Sequence, residues 1–422
     1  MIEPGAGRAR HLGHRIPTPL AIAAAFLLLS VTPASAAATI RHVETTGADS
    51  GDCASAAAPC KTISYALTQS VAGDTIRVAA GEYDELIRID LDGITIEGSG
   101  ASTTTVIGPA SCAGIGTPFL IFGSNVTVRG LGIGGCPEGI VAAGGPITAE
   151  SDLFLATTGV GVSLAGGSAT VLNNVFRSHT GVCDRAPGTV VVSGNTFLTQ
   201  DYGICVNFAD ATVHFNRITN QPPIGVFVAS TGTANLDDNW WGCNDGPNMP
   251  GCATTVPATA TVDRWLMLAP IGAPTTLGPG ATAEIKFGLV NSATGEVATT
   301  FPSAPIAFAT TTGSVSPPSA GLVGGVATTT FTAPSEAGVY TLTATLDEGT
   351  ASVTLNAPVA TSPTPTAGRT PVPNATLPAT NSLPAPAGGD RSGGAGPRAA
   401  LVLLFGSALL LGVRGLRIAG RR

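Results

Sequence analysis

The chain has 422 residues, enough for two or three domains with cores of their own, and 44% of them are hydrophobic. Charged residues make up only 11%, the formal net charge is −7, and lysine occurs only at Lys61 and Lys286. No basic stripe is available to track a phosphate backbone, so no nucleic-acid partner is expected.

The N-terminus carries Arg8, Arg10 and Arg15, then the apolar run "LAIAAAFLLLSV", then "PASAAA", where Ala34 and Ala36 form an A-x-A pattern. This reads as a secretory signal over residues 1–36, cleaved after Ala36. The apolar run is short for a permanent membrane anchor, the alternative reading. Export permits disulfides, and the eight cysteines fall into four near neighbours: Cys53/Cys60, Cys112/Cys136, Cys183/Cys205 and Cys243/Cys252. Sequential pairing is expected. Zinc would need C-x₂₋₄-C spacing or nearby histidine, and neither occurs, so no metal site is assigned.

From residue 39 to about 265 the chain beats. Asn174, Asn195, Asn216 and Asn239 recur at steps of 21, 21 and 23, in similar settings: "ATVLNNVF", "VVVSGNTF", "ATVHFNRI" and "DDNWWG". A second series, Gly139, Gly159, Gly181, Gly203 and Gly225, precedes Ile or Val each time and runs in phase with it. A period of 20–22 residues with short β-rich segments indicates a solenoid whose turns stack on one another. Alternation in "ATVHFN" puts Ala211, Val213 and Phe215 on one face and Thr212 and His214 on the other. Asn tolerates a left-handed corner, and stacked Asn amides can bond from coil to coil, so the four asparagines are assigned to a structural ladder. Phe154, Phe176, Phe197, Ile218 and Trp241 lie two residues past Asp152 and the four ladder asparagines and should stack inside. Cys183 in "TGVC" and Cys205 in "YGIC" would staple neighbouring coils.

On these residues the chain resembles the right-handed parallel β-helix repeat family of exported bacterial proteins, of pectin-lyase-like fold. The opening "TTGADSGDCASAAAPCKTISYALTQSVAGDTIRVAAGEYDE" looks like that family's start, with a short amphipathic helix at about Thr62–Ser70 capping the first coil. "NWWGCNDGP" is similar to its last-coil signature. The resemblance implies an all-β fold and leaves activity open.

Residues 268–356 lose the beat. Their Thr-, Ala- and Val-rich strands resemble a bacterial Ig-like domain of the invasin type, a cysteine-free β-sandwich that usually serves as a spacer or adhesive module. Residues 357–397 hold nine prolines among Thr, Ala and Gly and read as a semi-rigid stalk. The apolar segment 399–413 precedes a basic tail, 414–422, with Arg414, Arg417, Arg421 and Arg422. Together they imply a C-terminal membrane helix with a cytoplasmic end. "LPATN" (377–381) resembles a sortase LPxTG motif, with Asn381 in place of Gly, and makes wall attachment the alternative.

β-helices of this kind include pectin-degrading lyases and hydrolases, so acids near bases are weighed as catalytic. Asp237 and Asp238 are the sharpest pair; adjacent carboxylates could serve as acid and base or hold Ca²⁺, and no other cofactor suggests itself. Arg217, one coil earlier, and His214, outward on its strand, complete the set. The N-T-D, G-H-G and R-I-K motifs of the fold's hydrolases do not occur. Glu82, Asp84, Glu85, Asp90 and Asp92 read as an exposed charged rim. The expected function is therefore non-catalytic cell-surface display, binding a glycan or envelope polymer along one flat sheet. The alternative is a polysaccharide lyase or glycoside hydrolase acting on an acidic polysaccharide. An enzyme should bring three or more of Asp237, Asp238, Arg217 and His214 into one groove.

Overall fold

The structure, a computed structural model, describes residues 37–359 except 113–115, 156–158, 167, 200, 220–223 and 258–259. The expected signal sequence, nearly all of the expected stalk, the sortase-like motif and the expected C-terminal helix and tail lie outside the described residues.

Parallel strands of two to five residues build a right-handed β-solenoid of about seven turns. Each turn contributes one strand to each of three sheets, which among the described residues have nine, eight and seven strands. The alternation read from "ATVHFN" holds across the nine-stranded sheet: Ile76, Ile96, Val128, Ala149, Val171, Val192 and Val213 face inward and are buried. The first coil is closed by a helix, Ile63–Thr68, with Ile63, Ala66 and Leu67 buried. Thr62 caps it by accepting the Tyr65 N–H, and the Glu85 carboxylate accepts the N–H groups of Ile63 and Ser64. Glu85 is therefore not part of a free rim, since it satisfies donors that a helix start leaves unpaired. Asp90 pairs with Arg88 and Asp92 accepts the Ser124 N–H, while Glu82 and Asp84 are exposed.

The asparagines form one continuous hydrogen-bonded column. Asn239 Oδ1 accepts the Asn216 N–H at 3.0 Å, Asn216 Oδ1 accepts Asn195 N–H at 2.9 Å, and Asn195 Oδ1 accepts Asn174 N–H at 2.8 Å. Each amide group also donates backwards, as Asn195 Nδ2 does to the carbonyls of Val171 and Ser193. The column continues through Asn174 Oδ1 to the Asp152 N–H, and Asp152 Oδ1 accepts the Leu131 N–H. The corner geometry differs from the expectation. The ladder residues are not left-handed; the residue before each one is, in the series Gly130, Ser151, Asn173, Gly194, Phe215 and Asp238. The tight turn falls one position early, and the ladder side chain that follows it is buried inside the coil.

Phe154, Phe176 and Phe197 stack inside with centroids 4.6 and 4.9 Å apart and planes within 6°. Ile218 and Trp241 continue the stack and are fully buried. The glycine series runs through Gly161 rather than Gly159. A Cβ on Gly161 would lie 2.7 Å from the Phe176 ring, and one on Gly181 2.6 Å from Phe197, so these positions carry no side chain because an aromatic ring fills the space. Phe215 also departs from the alternation. Its left-handed φ of 56° turns it out of the solenoid, and it packs against the second domain's core.

The strands of that second domain run from Leu266 to Ala357. Two four-stranded antiparallel sheets enclose a core of Ile285, Phe287, Leu289, Phe331, Leu342 and Leu355. The tryptophans of "NWWGC" part company at the joint: Trp241 is buried in the solenoid core and Trp240 in the second core.

All eight cysteines are paired, as Cys53–Cys60, Cys112–Cys136, Cys183–Cys205 and Cys243–Cys252. Cys183 and Cys205 are register partners on adjacent strands, so their bond does staple two coils. Four disulfides accord with an oxidising, extracellular setting.

Two outcomes test the ladder. Asn195→Leu orphans the Asn174 N–H and the carbonyls of Val171 and Ser193, and each orphan costs about 1–3 kcal/mol. A loss of at least about 3 kcal/mol in denaturant unfolding is expected, and unchanged stability would remove the column from the load path. Asp152 is the odd rung. Burial, the largest cause, pushes its carboxyl well above the usual carboxylate range, with the Glu150 charge adding to it and the Leu131 N–H opposing. Its Oδ2 has no hydrogen-bond partner. The folded chain thus holds this proton after the unfolded chain has lost it. Stability from this group is complete below the ordinary value of 3.8 and declines as pH rises from there to the raised folded value. Asp152→Asn should raise the melting temperature at pH 7 and flatten its decline above pH 4; a lower melting temperature at pH 7 would contradict this.

Candidate functional site

The four candidate side chains divide between two places at the joint. Arg217 turns to the second domain, where the carboxylate of Asp347 takes both its Nε, at 3.0 Å, and its Nη2. Asp347 sits in the hairpin turn between the two longest-paired strands, Gly338–Leu346 and Gly349–Ala357, and also accepts the Trp240 indole N–H at 2.8 Å. Both members of the ion pair are mostly buried, with side chains 17% and 12% exposed. Arg217 is therefore a strut between domains and is not directed at the acids.

Asp237 and Asp238 meet a different base. Arg264, in the segment leaving the solenoid, places its guanidinium 3.0 Å from Asp238 Oδ1 and 3.7 Å from Asp237 Oδ2. Hydrogen bonding to Asp238, with the charges of both acids, holds the Arg264 guanidinium above its usual range. Asn291, from the second domain, donates to Asp238 Oδ1, and Asp237 Oδ1 caps the backbone by accepting the Asp263 N–H at 2.9 Å. His214 lies on the outer surface nearby. Burial pulls its imidazole below the ordinary histidine value, against the opposing charges of Asp238 and Asp237, so it is largely neutral at pH 7. Asp237, Asp238 and His214 are thus neighbours, the acids already carry a guanidinium, and Arg217 is absent from the group. Among the described residues no group of three or more His, Cys, Asp or Glu side chains is placed to hold a metal ion. Arg264, Asn291 and Asp347 were not singled out from the sequence; they stand 26, 53 and 130 positions from their partners, beyond any local spacing rule.

Of these residues Asp238, Arg264 and Asn291 also line a cavity of about 420 Å³ between the last coils and the second domain, together with Phe215, Thr294 and Glu296 among others.

The outer face of the nine-stranded sheet is the other feature of note. Register brings Thr75, Thr95, Thr127, Thr148 and Thr170 into one outward column, continued by Val191 and Thr212. Beside it runs a column of Arg77, Glu97, Arg129 and Glu150, in which Glu97 bridges both arginines. Successive strands lie about 4.8 Å apart, so each column repeats at that interval. Two depressions lie on this face. One, of about 440 Å³, is lined by Asn125, Thr127, Thr148, Ser168, Thr170 and Thr189 and carries no charged side chain. The other, of about 480 Å³, lies at the capped end beside His42, Glu44, Arg77 and Glu97.

Residues 45–244 match a family model described as a protein of unknown function, DUF1565. That stretch runs from the capped first coil to the joint and fits a parallel β-helix repeat protein. No curated protein and no solved structure matches the chain. Among the described residues no helix is long and apolar enough to cross a membrane.

The strut carries a direct expectation. Asp347→Asn keeps the size and tolerates the left-handed φ of 52° while removing the charge from Arg217. A loss of about 2 kcal/mol, the scale of a hydrogen bond to a charged group, is expected. Calorimetry should show unfolding broader than that of the parent chain or split into two peaks, and an unaltered profile would show that the domains are joined by other contacts.

Proposed function

We propose that this is an exported, cell-surface-tethered protein that works by binding and not by catalysis, holding a glycan or envelope polymer along the outer face of the nine-stranded sheet. The observation that carries the reading is the uncharged, hydroxyl-lined groove over Thr127, Thr148 and Thr170. Hydroxyls and threonine methyls repeating with the strand spacing suit an extended, uncharged polymer whose own repeat is close to that interval, with alcohols on its edges and C–H groups on its faces. The neighbouring charges neutralise one another through Glu97, so the face exerts little net field on an approaching neutral chain.

In this reading the second domain is an Ig-like spacer of invasin type. The Pro/Thr-rich stalk and the apolar 399–413 segment with its basic tail hold the molecule at the cell surface, by membrane retention in preference to sortase processing at "LPATN". The secretory signal and the four disulfides support export. A lyase or hydrolase would draw on Asp237 and Asp238, and the pairing of both with Arg264 speaks against free acid–base roles.

The test is binding of the full chain, kept in mild detergent, to an array of neutral and acidic polysaccharides. A neutral polymer should be retained. Thr148→Lys should weaken retention at least tenfold with the melting temperature unchanged, because Thr148 is at the surface and its backbone is not disturbed. Assays for new reducing ends and unsaturated uronates should stay at background. Product formation that Asp238→Asn abolishes would overturn the proposal in favour of the enzyme.

A further inference from the structure

The cavity at the joint has a composition that the binding face lacks. Its apolar wall includes Phe215, and Asp238, Arg264, Asn291, Thr294 and Glu296 supply donors and acceptors around it. At about 420 Å³ it falls at the small end of the range for ligand pockets, and such pockets favour domain interfaces.

Phe215 is the anomaly. At the same corner, other coils use Gly130, Ser151, Asn173, Gly194 and Asp238 for the left-handed turn, residues small or polar enough to adopt it cheaply. A bulky aromatic residue there is an outlier, costing of the order of what strained backbones at ligand sites cost. The surroundings over-determine it. The Phe215 N–H donates to the Asp238 carbonyl at 2.9 Å, and the Asp238 N–H donates to the Arg264 carbonyl at 3.0 Å. The Asp238 carboxylate then ties Arg264 to Asn291 of the second domain. The polar wall is thereby fixed before any ligand arrives. Arg264, with a side chain 43% exposed, keeps donors for a further partner, and Glu296 is an exposed acceptor.

An aromatic ring beside fixed guanidinium and carboxylate groups is suited to a pyranose, which has C–H groups on its face and hydroxyls at its rim. Sign narrows the choice further. Asp237, Asp238, Asp263 and Glu296 outnumber Arg264, so an acidic sugar would be repelled. We propose that this two-domain cavity is a binding pocket for a single neutral hexose, stacked on Phe215 and hydrogen-bonded by Arg264 and Glu296. The pocket is separate from the sheet face and does not rest on the polymer reading.

The test uses the full chain in mild detergent and ligand-observed saturation-transfer NMR with four probes: methyl glucoside, methyl galactoside, methyl glucuronide and choline. At least one neutral hexoside should receive saturation at its ring C–H protons with millimolar affinity, and methyl glucuronide should bind at least tenfold more weakly. Phe215→Gly should reduce hexoside binding at least tenfold; because it also removes packing against the second domain's core, it is measured below its own melting temperature, and Phe215→Tyr, which keeps the ring, should retain binding. Glu296→Gln, in an exposed loop and free of any packing role, should weaken the hexoside and improve the glucuronide. Saturation of neither hexoside, undiminished hexoside binding by Phe215→Gly, tighter binding of the glucuronide, or choline binding in place of the sugars would each overturn the proposal. Thr148→Lys should leave hexoside binding untouched, so failure of the sheet-face reading and failure of this one are told apart.

Discussion

The corners of the later coils bury backbone N–H groups inside the solenoid, and the Asn column supplies their acceptors. A carboxamide is the one side chain that can accept from the preceding coil's N–H with its oxygen and donate to two carbonyls with its nitrogen at once. Asn195 does all of this, and so does Asn216. The rest of the architecture hangs from that constraint. The column sets the coil period, the period sets the register of the phenylalanine stack two residues on, and the stack in turn forbids side chains at Gly161 and Gly181. Asp152 marks where the column gives out: a carboxyl can replace the amide's acceptor but can supply the donor only while protonated.

Much of this was legible because a solenoid writes its contacts into the sequence at a fixed separation. Residues about 21 apart are neighbours in space, so Asn174 and Asn195, or Phe154 and Phe176, could be paired on paper. The same regularity misleads where a coil departs from it. Gly159 fitted the visible series, yet Gly161 faces the ring: both precede a Val, and the coil from Gly161 to Gly181 is short, at 20 residues against 22 elsewhere, which the count alone cannot register. The left-handed position was misassigned to the asparagines for a related reason. Asn suits both an αL corner and an inward ladder, and the pattern of Gly, Ser, Asn and Asp one residue earlier is the better marker of the turn.

The candidate site was the least legible part. Asp237, Asp238 and His214 stand out by residue type, and the structure keeps them together. What decides their chemistry is Arg264, Asn291 and Asp347, and these arrive from beyond the repeat. No periodicity links a solenoid corner to a hairpin turn 130 residues away. One signal was present in the doubled tryptophan. Adjacent residues on an extended chain point to opposite sides, so two large apolar side chains in succession require two apolar environments. Trp241 finds the solenoid core and Trp240 the second domain's core, and "NWWGC" can be read as the address of a joint.

That joint changes what the second domain is. A spacer on a flexible hinge would need only a short linker, whereas here the contact includes a buried tryptophan, an Arg–Asp pair and the hydrogen bonds of Asn244 to Leu268 and Thr350. Contacts of this kind hold the last coil's corner against the sandwich, and the walls of the cavity between them are set by both. The otherwise costly backbone at Phe215 can persist only because the second domain packs over it. The rigidity of the joint and the strain at Phe215 are therefore one arrangement: the contacts that fuse the domains are the ones that keep an aromatic ring and a guanidinium in place in the wall of one cavity.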